Sequence, residues 1–239
     1  MSRANGAGEP RTVIVPGLGA TAGEARIPAS GLPGTRIVLT LPSHADAPDA
    51  SPDYWTYPTI AADIAPALEG VRQAVGVSLG AAALCALLST TPHALDRVVL
   101  MLPAALSKPR QAESADLVLE MSTAAEAGDR GRLRALVAAG APAGLDTYVD
   151  ERTDALLRLG PALHAVARQV PVPDPATLEQ VDADVLVVAA MGDLLHPTET
   201  AEEVVGALPT ARLVRFDSPA PMVTHRRELR ALLTDFLGR

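Results

Sequence analysis

Aromatic side chains are scarce: three tyrosines, two phenylalanines and one tryptophan in 239 residues. Nucleotides and single strands are commonly held on stacked rings, and so thin a supply argues against such platforms. Cysteine occurs once, at Cys85, so an intrachain disulfide is excluded. Five scattered histidines and one cysteine give no metal-ligand spacing, and no metal is expected. No phosphate loop and no dinucleotide fingerprint is present, so no cofactor is expected either. No apolar run approaches the roughly 20 residues that a membrane helix needs. The first ten residues, Met1 to Pro10, hold no apolar segment. They read as a mobile polar tail without a secretory signal, which makes the cytoplasm the expected location. Lysine is all but missing, since Lys108 is the only one among twenty basic residues. That bias toward arginine, with abundant alanine, is the coding style of a GC-rich bacterial genome. The net charge of −8 disfavours a nucleic-acid partner and an anionic membrane surface.

What is present suits a folded domain. Apolar residues make up 48% of the chain, enough for one sizeable core. Short apolar runs predict strands over 12–15, 36–41, 71–77, 96–102, 184–189 and 211–216. Helical patterns cover 59–70, 81–88, 198–208 and 226–237, with Pro66 expected to kink the first. Between 104 and 178 no strand is visible. Helical patterns around 113–127, 130–139 and 147–168 are broken at Gly128, at Gly140 to Pro142 and at Pro171 to Pro173. The fold class is therefore α/β, a mostly parallel sheet covered on both faces. Residues 1–103 and 179–239 form the core, and 104–178 are inserted in it as a helical cap.

One stretch organises the rest. Gly76-Val77-Ser78-Leu79-Gly80 is a G-x-S-x-G preceded by a β-rich run and followed by a dense run of alanine and leucine. That context puts Ser78 on a sharp strand-to-helix turn, which lifts its hydroxyl off the sheet as a nucleophile elbow does. Bulk at Gly76 or Gly80 would block the turn. The helix N-terminus behind Ser78 offers free N–H groups to a developing negative charge.

A serine nucleophile needs a base, an acid that orients the base, and oxyanion donors. In open α/β sheets these gather at the carboxyl ends of strands. After the strand ending at Ala190 comes Asp193, a carboxylate placed to orient a histidine. After the strand ending at Phe216 comes His225, at the start of the last helix and expected as the base. His196 competes with it, but at three residues from Asp193 it reads as too close to be that residue's partner and as a support for the acid loop. His44 reads as a histidine that orders loop backbone. Cys85 reads as a small core residue. The expected oxyanion donors are the backbone N–H of Leu79 and one from the Gly17-Leu18-Gly19 turn, that of Leu18.

On these residues the chain resembles the α/β-hydrolase fold superfamily, whose order of nucleophile, acid and base is Ser78, Asp193, His225. Val15-Pro16-Gly17-Leu18-Gly19 is similar to the family's His-Gly oxyanion loop. Pro42-Ser43-His44-Ala45-Asp46 is similar to its Gly-His-Gly-x-Ser segment, and Thr91 to Leu100 to the stretch after its nucleophile helix. The chain departs from the pattern with Pro16 and Val77 where members commonly have histidine. Too few residues precede the first strand for the leading antiparallel hairpin. His225 arrives about four positions late, with Pro221 at the family's place for the base.

The resemblance implies an acyl-enzyme mechanism and a lid over the pocket, hence a hydrolase of a carboxylic ester, thioester or lactone. The composition would suit bacterial secondary metabolism. The displaced His225 keeps open a non-hydrolytic enzyme such as a cyclase or epimerase, and a further alternative is a ligand-binding protein that uses the cap as a lid. The expected partner is a small hydrophobic or acyl molecule, with Met101, Met121, Leu117, Leu119 and Leu133 as candidates for pocket lining or for the cap's own core. The oligomeric state is not legible.

Overall fold

The computed structural model describes residues 2–238 and is built on a seven-stranded sheet. The strands are β1 (Ser2–Asn5), β2 (Arg11–Val15), β3 (Thr35–Leu39), β4 (Gln73–Val77), β5 (Arg97–Met101), β6 (Asp184–Ala190) and β7 (Ala211–Phe216). Their order is β1-β3-β2-β4-β5-β6-β7, and every pairing is parallel except that of β1 with β3. The central strands β2, β4, β5 and β6 read as apolar runs because both faces are covered, whereas β1 is exposed along its length. Alternate residues go to opposite sides: Val98, Leu100, Val185 and Val187 to one apolar core, and Val99, Met101, Leu186 and Val188 to the other.

The first core packs under α1 (Tyr57–Ile64), α2 (Leu79–Thr90) and α7 (Thr198–Ala207). Helix α2 is buried from Leu79 to Leu88, which is why its sequence is apolar on all sides. The second core lies under α9 (Arg226–Leu237), which follows the short α8 (Pro221–Thr224). At Pro66, α1 gives way to a 3-10 segment, Ala65–Leu68, because proline has no N–H to continue the α ladder.

Between β5 and β6 run α3 (Ala112–Glu126), α4 (Arg130–Ala139), α5 (Asp146–Leu157) and α6 (Gly160–Val166). They share an apolar cluster that includes Val118, Met121, Leu133, Val137, Val149 and Leu156. The single helix predicted over 147–168 is two helices. Gly160 and Pro161 open the second, and α3 packs so closely there that a methyl group on Gly160 would lie 3.1 Å from Glu126 Cγ.

The N-terminal segment also departs from expectation. Ser2–Asn5 is not a loose tail but pairs antiparallel with β3, Ser2 opposite Leu39 and Asn5 opposite Arg36. It covers an edge that would otherwise present unpaired backbone groups. As a single strand paired with β3 rather than β2, it makes no leading hairpin.

The chain steps from β2 outward to β3, then returns to place β4 on the other side of β2. The loops after β2 and β4 therefore diverge at a topological switch point, where open α/β sheets hold their ligands.

Candidate active site

Ser78 stands alone between β4 and α2, at φ 51° and ψ −109°. A non-glycine residue with positive φ is strained by about 1–3 kcal/mol and persists only where its surroundings impose it. Here the Ser78 N–H donates to Met101 O at 2.9 Å, and its carbonyl accepts from Ala82 N–H at 3.0 Å. The flanking glycines are obligatory. A methyl carbon on Gly76 would lie 2.5 Å from Gly80 O, and one on Gly80 would overlap the carbonyl oxygen of Val15. Leu79 is the first residue of α2, so its N–H has no acceptor within the helix.

The loop after β6 brings its two polar side chains to this corner. Asp193 Oδ1 accepts from Leu195 N–H at 2.9 Å, which closes a tight turn. The turn carries His196 back over Asp193, and His196 Nδ1 donates to Asp193 Oδ2 at 2.7 Å. The other ring nitrogen, Nε2, lies 2.8 Å from Ser78 Oγ and accepts its hydroxyl proton in a hydrogen bond. Both side chains are largely shielded, His196 at 12% and Asp193 at 15% exposure. Burial alone would raise the Asp193 carboxyl, but the His196 charge and hydrogen bond, with the N–H groups of Leu195 and His196, outweigh it and hold the carboxyl below its ordinary range. The loop is anchored from α3 and the segment before it: Leu195 O accepts from Arg110 Nη1 at 2.9 Å and from Ser114 Oγ at 3.2 Å.

His225 is not brought to Ser78. Its Nδ1 lies 2.8 Å from Thr224 Oγ1, its Nε2 lies 3.2 Å from Asp217 Oδ1, and its ring rests 5.5 Å from that of Phe216. The short helix α8 turns the chain before His225, so the ring stays within its own loop. The expectation that His196 is too near Asp193 fails for a definite reason. The carboxylate has two oxygens; one closes the turn, and the other faces the ring that the turn returns. The only signal in the sequence was the pairing itself, an acid and a histidine three residues apart at the end of a central strand.

Leu79 follows Ser78 in the chain, and Leu18 lines the same cavity as Ser78. Leu18 sits in the turn Gly17 to Ala20, closed by Ala20 N–H to Gly17 O at 3.2 Å. A methyl carbon on Gly17 would be only 3.4 Å from Ser78 Cβ. His44 supports this turn, its Nε2 accepting from Gly19 N–H at 2.9 Å and its Nδ1 bonding Pro42 O at 2.9 Å. Burial pushes the His44 imidazole below its ordinary pKa, consistent with a neutral ring whose Nε2 is an acceptor. Burial drives the Cys85 thiol the other way, up to about 12, so it is no nucleophile at neutral pH.

Ser78 and His196 open into a cavity of about 740 Å³. Its apolar wall includes Leu117, Met121, Leu136 and Met222, and its polar edge includes Glu24 and Arg152. Of the five apolar candidates, Leu117 and Met121 line it. Leu119 and Leu133 belong to the helical cluster, and Met101 lies beneath the sheet. Among the described residues no group of three or more histidine, cysteine or acidic side chains gathers as it would around a metal, and no helix is long and apolar enough to cross a membrane.

No protein-family model and no curated protein matches the sequence. Solved structures do. An esterase from Exiguobacterium antarcticum superposes with a TM-score of 0.84 at 17% identity, over 100% of this chain and 95% of that one. An enol-lactonase from Burkholderia xenovorans gives 0.81 at 17% identity, over 100% and 96%. The chain has the α/β-hydrolase fold. A thermophilic esterase from Thermogutta terrifontis gives 0.76 at 16% identity, over 97% and 90%. Within the α/β-hydrolase fold, the strand-to-helix corner at Ser78 and the loops after β2 and β6 meet at one end of the sheet. The loop after β7 contributes cavity wall at Pro221 and Met222.

Proposed function

We propose that the protein is a serine hydrolase that cleaves a carboxylic ester, thioester or lactone of a small hydrophobic molecule through an acyl-enzyme. One observation carries the reading: Ser78 Oγ, His196 and Asp193 form a continuous hydrogen-bonded chain, at 2.8 and 2.7 Å, facing an apolar cavity. The esterases and the enol-lactonase among the structural neighbours support it by fold.

In this reading Ser78 Oγ attacks the substrate carbonyl carbon while His196 Nε2 takes the hydroxyl proton. Asp193 holds the ring with Nε2 toward Ser78 and stabilises the imidazolium that forms. The carbonyl oxygen becomes an oxyanion and is received by the Leu18 and Leu79 N–H groups. Collapse of the tetrahedral intermediate breaks the carbonyl–oxygen or carbonyl–sulfur bond, and His196 returns the proton to the leaving group. Water then attacks the acyl-enzyme with His196 again as base, releasing the acid and restoring Ser78. Helices α3 to α6 act as the cap, since Leu117, Met121 and Leu136 give the cavity its apolar wall. The Ala- and Arg-rich composition supports a source in bacterial secondary metabolism. A displaced His225 favours a cyclase or an epimerase only where no other histidine stands beside Ser78, and His196 does.

The test is hydrolysis of p-nitrophenyl esters of short to medium acyl chains, together with labelling by a fluorophosphonate. Wild type is expected to turn over and to be labelled, and Ser78→Ala to do neither. A wild type inert to every ester and to the probe would sink the reading.

A further inference from the structure

Helix α5 lays one stripe against the turn that carries Leu18. Tyr148, Arg152 and Leu156 are four residues apart and so share a face of the helix. Leu156 meets the turn by packing: a methyl carbon on Gly19 would lie 2.5 Å from Leu156 Cδ2. Arg152 meets it by hydrogen bond, Nη1 donating to Gly19 O at 3.3 Å. The same Nη1 faces both carboxylate oxygens of Glu24, at 3.5 and 3.4 Å. Glu24 is fixed in turn by Tyr148 Oη, which donates to Oε1 at 3.0 Å, and by Thr21 N–H, which donates to Oε2 at 2.9 Å. On the other side, His44 Nε2 accepts Gly19 N–H at 2.9 Å.

Gly19 is thus held at both of its peptide groups, by an acceptor from the loop after β3 and a donor from α5. Glycine adopts its φ of +69° without strain and other angles as readily, so the peptide before it could rotate if nothing fixed its N–H. We infer that His44 and Arg152 are positioning residues that clamp the oxyanion turn at Gly19, so that helix α5 forms a working part of the catalytic apparatus. The inference rests on the serine-hydrolase reading for its kinetic consequence, but the clamp is a structural statement on its own. Neither residue touches the reacting atoms; both act through the turn that aims the Leu18 N–H. A displacement of about 1 Å in such a group can cost on the order of a hundredfold in rate.

The experiment compares wild type with Arg152→Met, Arg152→Lys, His44→Leu and His44→Gln. Hydrogen–deuterium exchange over residues 17–20 and steady-state ester kinetics are measured on each. Arg152→Met and His44→Leu are expected to speed exchange and to lower kcat by about tenfold to a hundredfold with KM nearly unchanged, since oxyanion contacts form only in the transition state. His44→Gln, whose amide oxygen can accept the Gly19 N–H, and Arg152→Lys, which keeps a charge against Glu24, are expected to be intermediate. If Arg152→Met does not fold, Arg152→Lys decides: kcat below wild type at constant KM supports the clamp, and wild-type kcat overturns it. A raised KM at unchanged kcat would make Arg152 a substrate-binding group instead and overturn its positioning role. Wild-type exchange rates in both Arg152→Met and His44→Leu would overturn the clamp outright. An ester-inert wild type whose variants still exchange faster would remove the hydrolase reading and leave the clamp standing.

Discussion

His196 Nε2 lies 2.8 Å from Ser78 Oγ across 118 residues of sequence, and the carboxylate that orients it stands only three residues before it. The aspartate and histidine that reach Ser78 therefore arrive on one loop. The histidine of the segment after β7 is engaged instead with Asp217 and Thr224.

This arrangement separates two variants cleanly. His196→Ala is expected to lower kcat on a p-nitrophenyl ester by at least about a thousandfold, as loss of a nucleophile's base does. His225→Ala is expected to stay within a few-fold of wild type. A large loss in His225→Ala with His196→Ala near wild type would move the base role back to His225.

Asp193 makes a second prediction through acid stability. Its carboxyl is held below its ordinary value of 3.8 in the folded protein. A depressed carboxylate contributes stability that is present above the unfolded value and lost as pH falls through the folded one. Unfolding midpoints measured in the acid range should therefore fall less steeply for Asp193→Asn than for wild type. The same variant should lose kcat by about 10⁴-fold, since an amide no longer holds the imidazole in the working tautomer.

His44 has the same direction of shift but acts in a milder range. Its folded pKa lies below the ordinary 6.5, because burial disfavours the cation and Arg152 and Arg158 add their charge, outweighing the hydrogen bond to Pro42. The unfolded chain therefore binds the extra proton first, and stability declines as pH drops below about 6.5. His44→Gln should flatten this part of the curve of denaturation midpoint against pH. An unchanged curve would show that His44 is not the group responsible.

Glycine substitutions should have opposite signs at two sites. Gly80→Ala drives a methyl group into the Val15 carbonyl and should destabilise by about 3 kcal/mol or more, as overpacking against rigid backbone does. Gly206, exposed in α7 with open space around it, should gain about 0.5–1 kcal/mol as alanine. Urea denaturation of both variants checks the pair.

Much of this protein was decided by its sequence alone. The apolar runs fix the central strands because a strand buried on both faces needs apolar side chains at nearly every position. The Gly76 to Gly80 pentapeptide fixes the corner at Ser78, because only glycine admits the backbone contacts on either side. Local pattern was enough there, since the forces involved are local. The tertiary structure decided which histidine faces Ser78. Spacing along the chain says nothing about the direction in which a loop returns a side chain, and Asp193 to His196 works only because one carboxylate oxygen closes the turn while the other receives the ring. It also decided that Ser2–Asn5 is a strand, because its partner is the exposed edge of β3 and not anything in its own polar sequence. The grip of Arg152 and His44 on Gly19 joins three segments distant in sequence, and contacts of that kind exist only once the chain is folded.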